Sequence, residues 1–361
     1  MKTTSPIRVL TAAAALALSG AAFGQTSMSL VNGQLTLITP NFDQNVKVEM
    51  KGPERQAALF GFPGIADGTL VNGVSAIAVI TGAGRDEVQF DIEQASSLSI
   101  ISDTGAGDAL TKMQWKIRPS QVPVDAAFEM RSSVGGLQLA ELQFDPETAG
   151  EARINVNSGN AGEVKVKINS DDPSSRLSAA ITARGAKTEV EVISAASELA
   201  VIGSGVHAAP FNEVKYGINQ IRPGSVAVAM GVTMGSGNDK FEGKLSAPGS
   251  SNLLTGVVNA GGGDDFVLFE VNGQQSIIGL ALEGAAGNDH LEIKNSGVFQ
   301  LSQSVGARLS GGAGDDRLLL STDSIIRGTG LPNDVIPIID GGPGFDLYLG
   351  FGEIRNCEGQ L

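Results

Sequence analysis

The sequence predicts an all-β fold, a right-handed parallel β-helix of about twelve coils. Turns rich in glycine and aspartate recur in the C-terminal half, where Asp239, Asp265, Asp289, Asp316 and Asp346 follow one another after 26, 24, 27 and 30 residues. Each aspartate stands two residues before an apolar residue that opens a short alternating stretch. This period is typical of one solenoid coil, because a coil buries its inward side chains only when the next coil stacks on it. Connections between parallel strands are almost always right-handed.

The N-terminus predicts a secretory signal peptide over residues 1–24. Lys2 and Arg8 precede a short apolar run, and small residues follow as far as Gly24. The run is shorter than the about 20 apolar residues of a membrane anchor. We therefore expect export, cleavage after Gly24, and one solenoid domain over residues 25–361.

The first coils carry the same pattern in weaker form. In "NFDQNVKVEM", Gln44 occupies the polar slot before the alternating residues, and in "TGAGRDEVQF" the slot holds Asp86. In "TGAGDALTKM", Asp108 occupies it, and Leu110 is expected to point inward. The irregular stretch over residues 51–68 between the first two copies has no assigned structure.

The middle coils lose the glycines and aspartates but keep the alternation. Gly162, Thr188 and Asn212 occupy the predicted polar slots, and "FEMRSSVGGLQL" is a divergent copy. Strict alternation over a few residues predicts strands with one buried face. The polar tail "GEIRNCEGQL" is expected to cap the C-terminal end, since open strand edges promote aggregation.

Stacking would place the C-terminal aspartates in one column, with neighbours about 5 Å apart. Two unit charges at that distance repel by about 3.3 kcal/mol at an effective dielectric constant of 20, so cations between them would be stabilising. Glycines in the turns let backbone carbonyls approach a ligand closely. Carboxylate and carbonyl oxygens are the ligands that Ca²⁺ prefers. Residues 234–350 are therefore the predicted calcium-binding region.

The turn "GGAGDDRLL", which begins at Gly311, resembles the calcium-binding nonapeptide of the hemolysin-type (RTX) family, and "GGPGFDLYL" from Gly341 is similar. In that family Ca²⁺ lies between consecutive stacked turns, held by aspartate carboxylates and turn carbonyls. Here each motif stands alone, and Met234, Ala260 and Ala285 replace one of the first two glycines in three copies. The resemblance implies a metal-ligand role for Asp86, Asp239, Asp265, Asp289, Asp316 and Asp346.

Composition narrows the alternatives. The net charge of −14 disfavours nucleic acid and anionic membranes as partners. The chain also has one cysteine and only two histidines, His207 and His290. Parallel β-helices often host polysaccharide lyases or hydrolases, for which Lys165, Lys167 and Lys215 are candidate bases. Alternating lysine and glutamate is also the ordinary composition of a solvated strand face.

The sequence therefore predicts a secreted or cell-surface β-solenoid that binds Ca²⁺ and has a structural or adhesive role. Its expected partners are calcium ions and components of the cell surface or matrix, without nucleic acid and without a membrane span. The alternative is a polysaccharide lyase or hydrolase on the same fold.

Overall fold

The computed structural model describes residues 25–361 except 53, 95, 118–123, 147–149, 172–175, 301–305 and 327–335. The described part of the chain is all β, without a helix, and forms a β-solenoid of about nine full turns with shorter strands at its two ends. No helix in these ranges is long and apolar enough to cross a membrane. The predicted signal peptide lies outside the described residues.

The strands of the N-terminal half are β1 (Ser27–Val31), β2 (Gln34–Ile38), β3 (Gln44–Met50), β4 (Gln56–Phe60), β5 (Thr69–Asn72), β6 (Ala76–Thr81), β7 (Asp86–Gln94), β8 (Leu98–Thr104), β9 (Ala109–Ile117), β10 (Val124–Ser132), β11 (Val134–Pro146) and β12 (Gly150–Ser170). Those of the C-terminal half are β13 (Arg176–Ser194), β14 (Glu198–Val206), β15 (Glu213–Gln220), β16 (Ser225–Thr233), β17 (Lys240–Gly262), β18 (Phe266–Ala286), β19 (His290–Gln300), β20 (Arg308–Ala313), β21 (Arg317–Ile326), β22 (Ile338–Asp340), β23 (Leu347–Leu349), β24 (Glu353–Arg355) and β25 (Gly359–Gln360).

Parallel pairing between successive coils arranges these strands in two ladders. Ladder 1 contains β2, β6, β8, β10, the first part of β12 and of β13, β14, β16, the last part of β17 and of β18, β20, β22 and β24. Ladder 2 contains β3, β7, β9, β11, the last part of β12 and of β13, β15, the first part of β17 and of β18, β19, β21, β23 and β25. Each full coil contributes one strand segment to each ladder.

The core lies between the two ladders. Along most strands buried and exposed residues alternate, as in β13 and β7, so every second side chain points inward. Tyr216, Phe241 and Phe269 stack in this interior with ring centroids 6.2 Å apart between neighbours. The predicted alternation and repeat are therefore confirmed, whereas the right-handed winding and the number of about twelve coils stay predictions.

The N-terminal end departs from the parallel pattern. β1 pairs antiparallel with β2 through a two-residue turn at Asn32 and Gly33, both with positive φ. The stretch left unassigned over residues 51–68 contains β4, which pairs antiparallel with β3 and β5. An Asn-Gly pair between two alternating strands is a strong sequence signal for a hairpin. Asn32 and Gly33 form such a pair between β1 and β2.

Two residues do not lie where the predicted slots would place them. Leu110 is half-buried on the outer side, while its neighbours Ala109 and Thr111 point inward. Thr188 pairs with Val164, which is the inward residue after the predicted polar slot at Gly162. Thr188 therefore lies two residues farther along its strand than that slot. The turns before these strands differ in length by a residue or two. A one-residue difference moves every side chain of the strand to the opposite face, as at Leu110, and a two-residue difference moves the register but keeps the same side chains inward, as at Thr188.

Candidate metal site in the aspartate column

Five glycine-rich turns carry the chain from ladder 1 to ladder 2 in successive coils, and they stack directly on one another. A Cβ on Gly314, which has φ of +140°, would overlap the carbonyl oxygen of Gly287 in the neighbouring coil. Only glycine allows the two turns to approach this closely. Ala285 adopts the same left-handed region with φ of 84°, where a side chain costs about 1–2 kcal/mol.

The last residue of each turn is an aspartate that points into the solenoid, and we call these five residues the aspartate column. At most 3% of the surface of any of them is exposed. The side-chain Oδ1 of each aspartate from Asp265 onward accepts a hydrogen bond from the backbone N–H of the aspartate in the preceding coil, at 2.7–2.9 Å. The predicted vertical alignment is therefore confirmed for Asp239, Asp265, Asp289, Asp316 and Asp346.

Both ends of the aspartate column are closed by other polar residues. Asn212 precedes Asp239, and both its backbone N–H and its side-chain Nδ2 donate to Asp239 Oδ1, at 2.7 and 2.9 Å. At the other end, Asp346 N–H donates to Glu358 Oε2 at 2.8 Å. The column is thus a continuous hydrogen-bonded ladder from Asn212 to Glu358, in which every Oδ1 is used.

The second carboxylate oxygen of each column aspartate has no such partner. All five Oδ2 atoms are buried, and no hydrogen-bond donor among the described residues reaches them. A buried acceptor without a partner costs about 1–3 kcal/mol, and more when it is charged. Five in one column require a proton or a cation to neutralise them.

Three of these oxygens face a space that glycine leaves empty, which we call the glycine cradle. A Cβ on Gly311 would overlap Asp316 Oδ2 and stand 2.7 Å from the carbonyl oxygen of Gly341 in the next coil. A Cβ on Gly284 would likewise overlap Asp289 Oδ2 and stand 2.5 Å from the carbonyl oxygen of Gly311. Carboxylate and carbonyl oxygens therefore converge on one point in successive coils, and both are donors of the kind that Ca²⁺ takes.

The third cradle repeats this arrangement beside Gly341. Asp346 Oδ2 and the carbonyl oxygen of Asn356 both approach the point where its Cβ would lie. Upstream, the equivalent positions five residues before Asp239 and Asp265 hold Met234 and Ala260, whose side chains are buried there. The glycine cradle is thus confined to the last three turns of the column.

Burial changes the pKa values of four of the column aspartates. Removal from water raises the pKa of Asp265 to about 7 and the pKa values of Asp289 and Asp316 to about 6, and it also raises the pKa of Asp346. The backbone N–H donated to each carboxylate opposes the rise, and the neighbouring carboxylates add to it. Asp265 therefore stands close to the balance between its charged and neutral forms at neutral pH, whereas Asp289 and Asp316 reach that balance about one pH unit lower.

A second ladder runs along the solvent side of the same turns, and we call it the exposed ladder. It consists of Asn238, Asp264, Asn288 and Asp315, each one residue before a column aspartate. Their side-chain Oδ1 atoms accept from the backbone N–H of the following coil at 2.8–3.0 Å. Because these groups are solvated, they serve as matched controls for the buried column.

Asp86 does not lie in the aspartate column. Strand pairing places Asp86 level with Gln44 and Phe241 rather than with Asp239. The residues that pair from one coil to the next are Gln44, Asp86, Ala109, Gln138, Val164, Thr188, Val214 and Phe241. Asp86 is nevertheless buried, and its Oδ1 accepts from Gln44 N–H at 3.1 Å. It repeats the local geometry of one column step in a separate, N-terminal position. Its predicted metal role stays a prediction.

The other candidate residues have structural partners. His207 is buried, with Nδ1 2.7 Å from the Gly185 carbonyl oxygen, and desolvation lowers its pKa. His290 faces outward as expected and stacks on Phe266. Of the candidate bases, Lys165 and Lys215 pair with Glu163 and Glu213 at 3.0 and 2.7 Å, and Lys167 pairs with Glu191 at 3.3 Å. These pairs form a charged lattice on the outer face of ladder 2.

Filling a glycine cradle tests its importance. In a Gly311→Ala variant the new Cβ displaces Asp316 Oδ2 and the Gly341 carbonyl, and we expect a loss of about 1–3 kcal/mol in unfolding free energy. Gly217→Ala is the matched control, because a Cβ there meets only the Val190 carbonyl oxygen, at 3.8 Å. Urea unfolding of both variants measures the difference. Equal stability of the two variants would show that the cradle does not need to be empty.

No group of three or more His, Cys, Asp or Glu side chains gathers as a metal site in the described residues. The donors around the aspartate column are instead single carboxylates from successive coils together with backbone carbonyls. Comparison of the chain with protein families, with curated proteins and with solved structures finds no match.

Proposed function

We propose that this chain is a structural β-solenoid that is stabilised by Ca²⁺ bound along its aspartate column. The observation that carries the proposal is the row of five buried Oδ2 atoms without a hydrogen-bond donor in the described structure. In the last three turns these oxygens meet the carbonyl oxygens of Gly311, Gly341 and Asn356. A bound cation would remove the repulsion between neighbouring carboxylates and join each coil to the next.

The nature of the donors favours calcium over transition metals. Every candidate ligand is an oxygen, either carboxylate or carbonyl, and such hard donors suit Ca²⁺ better than the nitrogen and sulfur that Zn²⁺ or Cu²⁺ select. Asp289, Asp316 and Asp346 would hold the metal with the three carbonyls. Asp239, Asp265 and Asp86 complete the proposed ligand set, although Met234 and Ala260 replace the cradle glycine beside the first two.

The proposed biological role is structural or adhesive, at the cell surface or after secretion. A solenoid is stabilised by contacts between adjacent coils, so each coil joined by a metal adds to the rigidity of the whole rod. Calcium would support folding after export, because ion binding to the folded state alone adds to its stability. Calcium ions and surface or matrix components are the proposed partners. The proposal includes the right-handed winding and about twelve coils.

Thermal unfolding with and without calcium tests the proposal. We expect the melting temperature to rise with Ca²⁺ and to fall when a chelator is added, since a ligand at 100 times its dissociation constant adds about 2.7 kcal/mol per site. Mg²⁺ should stabilise less, because it demands a tight octahedral shell and loses its waters reluctantly.

Matched variants locate the effect. Asp316→Asn should reduce the calcium response, because it removes a charged oxygen from one of the three cradles, that of Gly311. Asp315→Asn, on the exposed ladder one residue away, should keep the response, because its oxygen still accepts from Phe345 N–H. A wild-type melting temperature that does not change between saturating Ca²⁺ and chelator would refute calcium binding.

A further inference from the structure

The outer face of ladder 1 contains a region without charge, which we call the uncharged face. It covers five adjacent strand segments in register: Ser178–Thr182, Ala200–Ser204, Ala227–Gly231, Leu253–Val257 and Ile277–Ala281. The first, third and fifth residue of each segment point outward. None of these outward residues carries a charge, although the whole chain has a net charge of −14.

Large apolar side chains protrude from this face. Ile202 is 53% exposed, Val257 42% and Leu253 39%, and Val206 at the border is 60% exposed. Leu253 and Ile277 line a groove of about 510 Å³, and the charged residues Glu151, Arg176 and Glu198 also line it. Isolated exposed apolar residues are normal, but a contiguous apolar patch with a polar rim marks an interaction surface.

The outer face of ladder 2 shows that this composition is not general. In the same coils it carries alternating lysine and glutamate side chains in ion pairs, such as Lys240 with Glu242 at 2.9 Å and Lys244 with Glu270 at 3.9 Å. The two faces are made of the same kind of parallel strand with the same inward core. The strands and the core they share therefore do not account for the difference in charge between the two faces.

We propose that the uncharged face binds the same face of a second copy of this chain, in a two-fold symmetric dimer. Two acidic molecules repel each other over most of their surfaces, and this is the face where they approach without charge repulsion. Ile202 and Leu253 protrude from the face, and Gly231 and Gly279 beside them have no side chain. A two-fold axis needs such a self-complementary surface.

The size of the face is sufficient for a reversible dimer. Five strands at about 4.8 Å and five residues at about 3.3 Å span about 24 Å by 17 Å, or about 400 Å² in each copy. The two copies together bury about 800 Å², which is the size of a weak, transient interface and fits a dimer that dissociates readily. Sheets that pack face to face lie about 10 Å apart, which leaves room for the apolar side chains of both copies.

Gly231 offers a substitution that leaves the solenoid itself undisturbed. A Cβ on Gly231 meets nothing within 4 Å, so a long side chain there extends into the proposed interface. Gly217 is the matched control on the opposite face, because a Cβ there meets only a carbonyl oxygen at 3.8 Å. We expect Gly231→Lys to weaken dimerisation at least tenfold and Gly217→Lys to leave it unchanged, with the same melting temperature for both.

Sedimentation equilibrium of the full chain measures this association. We expect a concentration-dependent mass that reaches twice the 37.0 kDa of one chain, and added salt should maintain or strengthen the dimer because the face is uncharged. Ile202→Lys and Ile221→Lys are a second matched pair, since these isoleucines are 53% and 51% exposed, inside and outside the face. A monomer at concentrations up to about 100 µM, a dimer that survives both patch variants, or equal weakening by the controls would each overturn the proposal.

Discussion

We expect Asp289→Asn to raise the melting temperature in the absence of calcium and, if the proposed calcium sites are occupied, to lower it in the presence of calcium. Without metal, the ionised Asp289 leaves Oδ2 buried without a donor beside the Gly311 carbonyl oxygen. The asparagine keeps the bond from Asp265 N–H to Oδ1, and its Nδ2 can donate to that carbonyl. A folded pKa of about 6 instead of 3.8 corresponds to about 3 kcal/mol above pH 6, which the substitution recovers.

The chain already contains an asparagine in the same column. Asn212 Nδ2 donates to the Ala209 carbonyl oxygen at 3.0 Å and to Asp239 Oδ1 at 2.9 Å, so an amide fits this environment. With calcium present, Asp289→Asn removes one of the proposed ligands and should melt below the wild type. The reversal of sign between chelator and calcium is the decisive result.

Differential scanning calorimetry in both buffers tests this reversal. Asp264→Asn, on the exposed ladder, is the control and should change unfolding free energy by no more than about 0.5 kcal/mol in either buffer. An Asp289→Asn variant that is less stable than the wild type in chelator would show that Oδ2 has a stabilising partner in the metal-free protein.

Metal-free stability should fall as the pH rises from about 4.5 to about 8. The pKa values of Asp265, Asp289 and Asp316 are raised from 3.8 to about 7, 6 and 6, so the folded chain holds protons that the unfolded chain has released. The stabilisation is complete below the unfolded pKa of 3.8 and disappears as the pH passes the folded values. With about 3 kcal/mol for one such carboxyl, the column changes stability by several kcal/mol.

The contributions of other titratable groups to the pH dependence of stability can be separated from that of the column aspartates. Ion pairs lower the pKa values of Glu87, Glu151, Glu163 and Glu213, and their contribution is lost only as the pH falls below the ordinary value of 4.5. His207 has a lowered pKa, so its contribution rises with pH and opposes the trend.

Thermal unfolding at several pH values in chelator measures the slope. A variant with asparagine at positions 265, 289 and 316 retains His207 and the glutamates, so the difference from the wild type isolates the aspartates. We expect that variant to lose most of the decline, because Asp86, Asp103 and Asp346, whose pKa values burial also raises, remain. Calcium should restore the stability of the wild type at neutral pH. A wild-type stability that rises steadily from pH 4.5 to 8 in chelator would contradict the raised pKa values.

Much of the candidate site could be predicted from spacing alone. An aspartate two residues before an inward apolar residue must share its face, so Asp316 and Leu318 both point inward, as the structure shows. Gly311 and Gly341 in the resembling turns coincide with the glycine cradles. Met234 and Ala260, which interrupt the motif, mark the coils in which the cradle is missing. The direction of the aspartates and the positions of the glycines are local features, because they depend on residues within one turn, whereas the carbonyl oxygen that completes each cradle comes from a later turn.

The sequence by itself determined the repeat, the strands, their buried sides and the inward direction of the aspartates, since each depends on alternation and on turn glycines within a single coil. Only the tertiary structure decided which residues of different coils are level. The alignment of one coil with a distant coil depends on the lengths of all the turns between them. Small irregularities in turn length between Asp108 and Asn212 therefore place Asp86 outside the aspartate column. Likewise, the unpaired Oδ2 atoms and the uncharged face exist only where coils from distant parts of the chain stack, because neither feature belongs to one coil.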